Sequence, residues 1–262
     1  LELTIPDSVT KIGNYAFSYC GGIKQLTIGN GVTDIEFNAF YRCDQLQQVA
    51  LGNNVATIGD EAFGSCKQLK QISIPESVTD IGAGAFGNCP ALTAITVAEG
   101  NTAYCSDGGI LFSKDKTTLV QYPAGKPETS YTIPAGVTAV QGGAFSGTAL
   151  TSVTIPESVT VIGRNAFYLC EALTAATVPD GVTSIENETF SYCSALTKVT
   201  LGNGVTNIGT RAFSGCTALA EMTVAATEPP VAAANAFENV NRDITVNVPA
   251  ESLDTYKAAS VW

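Results

Sequence analysis

Residues 72–92 read Ile72-Ser-Ile74-Pro75-Glu-Ser-Val78-Thr-Asp-Ile81-Gly-Ala-Gly-Ala85-Phe86-Gly-Asn-Cys89-Pro-Ala-Leu92, and the arrangement returns along most of the chain. Working outward from Phe86, phenylalanines fall at Phe17, Phe40 and Phe63 before it and at Phe145, Phe167, Phe190, Phe213 and Phe237 after it. Neighbours are 22 to 24 residues apart except across the 59-residue interval from Phe86 to Phe145. Cys20, Cys43, Cys66, Cys89, Cys170, Cys193 and Cys216 keep the same clock. Units begin near Leu3, Leu26, Val49, Ile72, Ile95, Tyr131, Val153, Ala176, Val199 and Met222, with a partial unit near Ile244. Self-similarity at a period of this length is the mark of a repeat architecture.

Each part of the unit has a mechanical reading. Leu69-Lys-Gln-Ile72-Ser-Ile74 alternates apolar and polar residues, as a half-buried strand does. Pro75 then ends the strand, because proline has no N–H to give to a ladder, and Glu-Ser-Val-Thr turns the chain. Val78 and Ile81 form a second apolar contact. Ala85, Phe86, Cys89 and Leu92 have the spacing of one face of one or two helical turns. No single unit can bury these side chains, so stability must come from stacking neighbours at about 4.8 Å. The phenylalanines are then expected to form a dry column.

The pattern Ile-Pro-x-x-Val-Thr-x-Ile-Gly-x-x-Ala-Phe-x-x-Cys resembles the BspA-type leucine-rich repeat of bacterial surface proteins. The resemblance covers residues 3 to about 225 by direct repeat. It extends through the tail Val248-Pro-Ala-Glu-Ser-Leu253-Asp-Thr-Tyr256-Lys-Ala-Ala259, which is similar to the segment closing such arrays. The fold class implied is α/β but β-rich: a right-handed leucine-rich-repeat solenoid with parallel strands on the concave face and short helical turns opposite. The expected organisation is one domain over 1–262, with regular repeats at 3–98, a hairpin-containing irregular repeat at 99–130, repeats at 131–225 and a C-terminal cap at 226–262. The resemblance further implies an extracellular or cell-surface protein, with an export signal lying outside these residues. For some members of the family it implies adhesion to host proteins.

Departures from a repeat are where function can be grafted. The interval from Ile95 to Tyr131 lacks the Ala-Phe-x-x-Cys segment. It reads instead Tyr104-Cys-Ser-Asp-Gly-Gly-Ile110-Leu-Phe112-Ser-Lys114-Asp-Lys116-Thr-Thr-Leu119-Val-Gln-Tyr122-Pro. Two apolar runs around the polar loop 114–117 signal a hairpin. It can serve as a structural plug of the stack, or as a loop that reaches a partner through Lys114 and Lys116. At the other end, Glu228-Pro-Pro230 closes the last regular strand, and residues 249–259, with Leu253 and Tyr256 on one side, have the composition of a capping helix.

Composition narrows the chemistry. Acids outnumber bases 24 to 13, a net charge of −11. Such a chain repels phosphate backbones, so no nucleic acid is expected as a partner. There is no histidine, which removes the commonest general base and the usual metal-binding and triad arrangements. No apolar run approaches the roughly 18 residues of a membrane helix, so no membrane insertion of this segment is expected. The repeated cysteines occupy one inward position on successive coils and are read as a reduced core ladder, since free cysteine behaves as a small buried hydrophobe. Cys105 is read as a further free thiol. Asp107 and Asp115 could offer calcium only isolated ligands, and Gly125-Lys-Pro127 lacks the rest of a phosphate loop. No catalytic residue, cofactor or metal site is expected, and the chain is read as not an enzyme.

The strand face remains. If the aliphatic strand residues point inward, Gln48, Gln71, Ser73, Thr96, Thr132, Thr154, Thr177 and Thr200 point outward. Threonine suits strand packing for its own sake; the same face can also dock an extended partner. The candidate binding residues are these eight with Lys114 and Lys116. The expected function is a non-enzymatic surface or secreted module that binds host or microbial extracellular proteins. The alternative is a structural spacer that holds another domain off the cell surface.

Overall fold

The computed structural model describes residues 1–241, 243–259 and 262. They form two compact units, Leu1–Pro127 with Gly143–Thr148, and Glu128–Gly142 with Ala149–Trp262. Both are β-solenoids built from parallel strands with very little helix.

In the first unit the long strands are Glu2–Ile5, Gln25–Ile28, Gln48–Ala50, Gln71–Ile74 and Ala94–Val97. The register follows the repeat: Leu3 lies beside Leu26, Leu26 beside Val49, and Ile72 beside Ile95. A second, shorter row of Lys11–Ile12, Asp34–Ile35, Thr57–Ile58 and Asp80–Ile81 is also parallel. In the second unit Ser130–Thr132, Ser152–Thr154, Ala175–Val178, Lys198–Leu201, Glu221–Val224 and Thr245–Asn247 make one continuous parallel sheet. Its last strand corrects the reading of the partial unit. Val246, not Ile244, lies beside Met222, so Thr245 stands in register with Glu221. The reason is one extra residue in the last coil, already visible in the 24-residue step from Phe213 to Phe237.

In the unit at 72–92, Ile72, Ile74, Val78, Ile81, Ala85, Phe86, Cys89 and Leu92 are all at most 4% exposed. The phenylalanine column is present in each unit. Phe17, Phe40 and Phe63 stack with centroids 5.2 Å apart and planes 4° from parallel. Phe167, Phe190, Phe213 and Phe237 continue the same way at 5.2, 5.4 and 5.5 Å.

The short helical turns expected opposite the strands are not there. Among the described residues, helix is confined to the 3-10 turn Ala250–Ser252 and the α-helix Leu253–Ala258. The Ala-Phe-x-x-Cys segments are runs of tight turns. In the second coil Ala39, Tyr41 and Cys43 donate their N–H groups to carbonyls three residues back. The alternate residues Asn38, Phe40 and Arg42 donate instead to Asp60, Ala62 and Gly64 of the next coil. Asn38 and Arg42 have φ of 54° and 56°, and a left-handed residue at every fourth position stops a helix from propagating. Spending every second N–H on the neighbouring coil satisfies the backbone across the stack, which a helix, closed on itself, cannot do.

The irregular repeat is a three-stranded antiparallel meander of Tyr104–Asp107, Ile110–Ser113 and Thr118–Gln121. Its first turn uses Gly108 and Gly109 at φ 57° and 81°, a two-residue hairpin geometry that glycine adopts without penalty. Asn101, buried behind it, satisfies both ends of its amide. Its Nδ2 donates to the carbonyls of Pro75 and Val78, and its Oδ1 accepts from the N–H groups of Ala103 and Tyr104. Leu111 and Val120 enter the core of the first unit. Beside the meander, turn segment 143–148 packs straight onto segment 84–88, with Asn88 N–H bonded to the Ser146 carbonyl at 2.9 Å. The approach is close enough that a Cβ on Gly143 (φ +70°) would lie 2.5 Å from Gly84 Cα. Tyr122 fills the phenylalanine position here, its ring 5.5 Å from Phe145.

At the C-terminus, Tyr256 is buried and its hydroxyl donates to the Ala226 carbonyl at 2.9 Å. Trp262 meets Phe237 edge-on at 5.9 Å and bonds through Nε1 to the Pro230 carbonyl. Leu253, expected on the same side as Tyr256, is 46% exposed, because the helix is a single short turn or two and only one of its residues reaches the last coil.

Candidate interaction surfaces

The outward strand residues stand where alternation places them. Gln48, Gln71, Ser73 and Thr96 are exposed on the first unit. Thr132, Thr154 and Thr177 are exposed on the second, and Thr200 is half-buried. In the first unit the long-strand ladder is interrupted. Strands 2–5, 25–28 and 48–50 form one hydrogen-bonded sheet, and strands 71–74 and 94–97 another. A shallow depression of about 360 Å³ straddles this break, lined by Gln25, Thr27, Gln48, Gln71, Ser73 and Thr96 among others. The side-chain amides of Gln25, Gln48 and Gln71 rise from three successive strands, and exposed amides of this kind offer both donors and acceptors. In the second unit the strand residues make a hydroxyl-bearing surface over an unbroken sheet.

The hairpin lysines are placed differently. Lys114 Nζ donates to the Asn101 carbonyl at 2.6 Å, and Lys116 pairs with Asp107 at 2.7 Å. That carboxylate raises the Lys116 pKa. Both ammonium groups are thus turned back on their own meander. Asp115 is capped by the hydroxyls of Ser113 and Thr117 and by the Thr117 N–H, which hold its pKa below the ordinary carboxylate value. Lys126 reaches the Gly108 carbonyl. Among the described residues no three potential metal ligands of His, Cys, Asp or Glu type come together, and no helix is long and apolar enough to cross a membrane.

The cysteine ladder has a definite structural role. The thiols of Cys43, Cys66, Cys89, Cys193 and Cys216 donate to the carbonyls of Phe17, Phe40, Phe63, Phe167 and Phe190 respectively, each at 3.1–3.3 Å. Each thiol therefore ties its coil to the phenylalanine of the coil before. Burial pushes Cys43 and Cys216 up to about 12. Hydrogen bonding to a neighbouring thiol, Cys89 for Cys66 and Cys170 for Cys193, raises Cys66 and Cys193 together with burial. A nucleophile needs the thiolate, so these four thiols are chemically quiet.

Sequence reasoning centred on the strand face missed the rings on the opposite, turn side. Tyr15, Tyr19 and Arg42 are exposed there, with Phe37 and Tyr41 half-buried. They occupy the variable positions of Asn-Tyr15-Ala-Phe17-Ser-Tyr19-Cys20 and Phe37-Asn-Ala-Phe40-Tyr41-Arg42-Cys43. Their signal was that the invariant residues of each unit point inward, so whatever varies between them points out.

Residues 1–107 and 125–245 match the BspA type Leucine rich repeat region, in six copies. No curated protein matches the chain. Among solved structures, a leucine rich cell surface protein from Faecalibacterium prausnitzii is similar with a TM-score of 0.74 and 27% identity, over 100% of this chain and 82% of that one. A leucine-rich repeat protein from Eubacterium ventriosum is similar with a TM-score of 0.66 and 25% identity, over 95% and 84%. The pneumococcal vaccine antigen PcpA shares the fold with a TM-score of 0.66 at 21% identity, over 95% and 82%.

Proposed function

Because the chain belongs to the BspA-type leucine-rich repeat family, we propose that it is a non-enzymatic module displayed at a bacterial surface or secreted, and that it binds extracellular host or microbial proteins through its strand face. The reading takes each unit as a right-handed coil with its strands on the concave side, and residues 226–262 as a cap. The observation that carries it is the depression over the interrupted ladder of the first unit, which Gln48, Gln71, Ser73 and Thr96 line together. Thr132, Thr154, Thr177 and Thr200 extend the same type of surface in the second unit. The cell-surface description of the Faecalibacterium relative supports the location.

The test is surface-immobilised chain probed with purified extracellular-matrix and mucosal proteins. Saturable binding that falls at least about tenfold, or 1.4 kcal/mol, in Gln48→Arg/Gln71→Arg supports the reading. Binding untouched by that double variant sinks it. The spacer reading is favoured by the engagement of both ammonium groups within the first unit, Lys114 with the Asn101 carbonyl and Lys116 with Asp107. Silence across the whole panel would favour it further.

A further inference from the structure

The geometry points to a second binding surface, on the turn side of the first unit, that takes a saccharide bearing a single carboxylate. It goes beyond the strand-face reading and does not depend on it.

Two ring pairs stand here. Tyr15 meets Phe37 edge-on at 5.2 Å and 88°, and Tyr19 meets Tyr41 at 5.8 Å and 79°. In an edge-to-face pair one ring keeps its flat face open, and Tyr15 and Tyr19 are 56% and 66% exposed. At Tyr19's place large side chains stay exposed inside the stack as well, as the exposed Arg42 before Cys43 shows. Tyr192, at the same place before its cysteine but with coils on both sides, is 49% exposed. Tyr15, Tyr19 and Arg42 all have φ between 56° and 60°, in the left-handed region.

Arg42 completes the arrangement. Its guanidinium carbon lies 5.8 Å from the ring centroids of both Tyr19 and Tyr41. Contact with two rings holds the planar group in place. Asp44, the acid nearest in sequence, is engaged by Lys67 at 3.1 Å. One side of the guanidinium is hydrogen-bonded to the Tyr41 side chain, and the Asp44 charge also acts on it; Arg42 is exposed, so its remaining N–H donors are open to a carboxylate. A ligand that uses both features needs a flat C–H face for a tyrosine ring and a carboxylate within reach of Arg42. A pyranose acid has both. A peptide anchor would need a closed pocket to be desolvated, and these rings stand on open surface. The net charge of −11 sets the limit on charge: a polyanion would be repelled by the rest of the molecule, whereas one carboxylate beside one guanidinium would not.

The second unit supplies an internal control. Tyr168 and Tyr192 form a similar edge-on pair at 5.9 Å and 84°. There Tyr192 itself takes the place before the cysteine that Arg42 holds beside Cys43, so the pair stands without that arginine.

The experiment is an NMR titration of the isotope-labelled chain with sialyllactose, with lactose, and with a short glutamate-rich peptide. Sialyllactose is expected to shift the amides of residues 15, 19, 41 and 42 saturably, with lactose at least about tenfold weaker. Added salt is expected to narrow that difference, since an exposed pair is screened. Arg42→Gln should reduce sialyllactose binding to the lactose level, and Tyr19→Ala should weaken both sugars. Both side chains are exposed, so unchanged thermal unfolding of the variants separates lost binding from lost structure. Gln48→Arg/Gln71→Arg should leave the sugar titration intact, so the two surfaces stand or fall separately. No saturable shift, equal affinity for the two sugars, or shifts that persist in Arg42→Gln would overturn the proposal. Tighter binding of the peptide would overturn it in favour of a protein partner.

Discussion

Phe63→Ala tests the physical basis of the fold most directly. Phe63 is fully buried, with Phe40 stacked on one side at 5.2 Å and Phe86 on the other at 5.9 Å. Truncation removes the ring from water-free surroundings and leaves a cavity that the rigid stack cannot close. Buried phenylalanines replaced by alanine cost about 3–5 kcal/mol, and the loss of two stacking neighbours places this one toward the upper end. That is a large fraction of the roughly 5–15 kcal/mol that holds a domain folded. At about 2–4 °C per kcal/mol for chains of this size, the melting temperature should fall by roughly 6–20 °C. Because a solenoid's stability is a sum over neighbouring coils, position along the column matters. Phe17 is only half-buried and has the single stacked neighbour Phe40, so Phe17→Ala should cost roughly half as much. Urea unfolding followed by far-ultraviolet circular dichroism measures both, with hydrogen exchange to locate the loss among the coils. Equal costs for the two variants, or a cost below about 1 kcal/mol for Phe63→Ala, would refute the claim that the ring column is the cohesive element.

Four further outcomes are expected. A thiol reagent should label only the half-buried Cys20 and Cys105 quickly in the native chain, and all eight cysteines in denaturant; fast labelling of Cys66 or Cys193 would contradict the ladder. Burial keeps Cys43 and Cys216 protonated up to about 12, while unfolded thiols ionise near about 8.5. Between those values the fold holds more protons than the unfolded chain, so their contribution is complete below the lower value and is lost as pH rises toward the upper one. Urea midpoints that stay flat over that alkaline window would argue against it. Gly143→Ala forces a side chain into a left-handed backbone 2.5 Å from Gly84 Cα, and should cost about 1–3 kcal/mol, read by thermal unfolding. Tyr256→Phe removes the donor to the Ala226 carbonyl. It should cost about 1–2 kcal/mol and speed proteolysis near the C-terminus; an unchanged cleavage rate would show that the helix is not held by that bond.

The repeat itself determined most of this molecule. A clock of 23 residues with alternating strand residues leaves only a stack of coils able to bury Ile72, Ile74, Val78, Ile81, Phe86 and Leu92 together, and the register of Leu3, Leu26 and Val49 follows from it. The outward placement of Gln48, Gln71, Ser73 and Thr96 was legible for the same reason, since a strand offers its side chains only two directions. Even Tyr122 was readable, being 23 residues before Phe145.

Tertiary structure decided the rest, because it depends on which coil meets which. Ala85, Phe86, Cys89 and Leu92 suit a helix and a run of tight turns equally, and the choice fell to the N–H groups of Asn38, Phe40 and Arg42, which find acceptors in the adjacent coil. The break in the strand ladder beneath Gln48 and Gln71, and the placement of Arg42 over Tyr19, arise between residues more than twenty positions apart. A periodic sequence specifies what every coil does alike; what one coil does to its neighbour, at the positions where they differ, exists only once they are stacked.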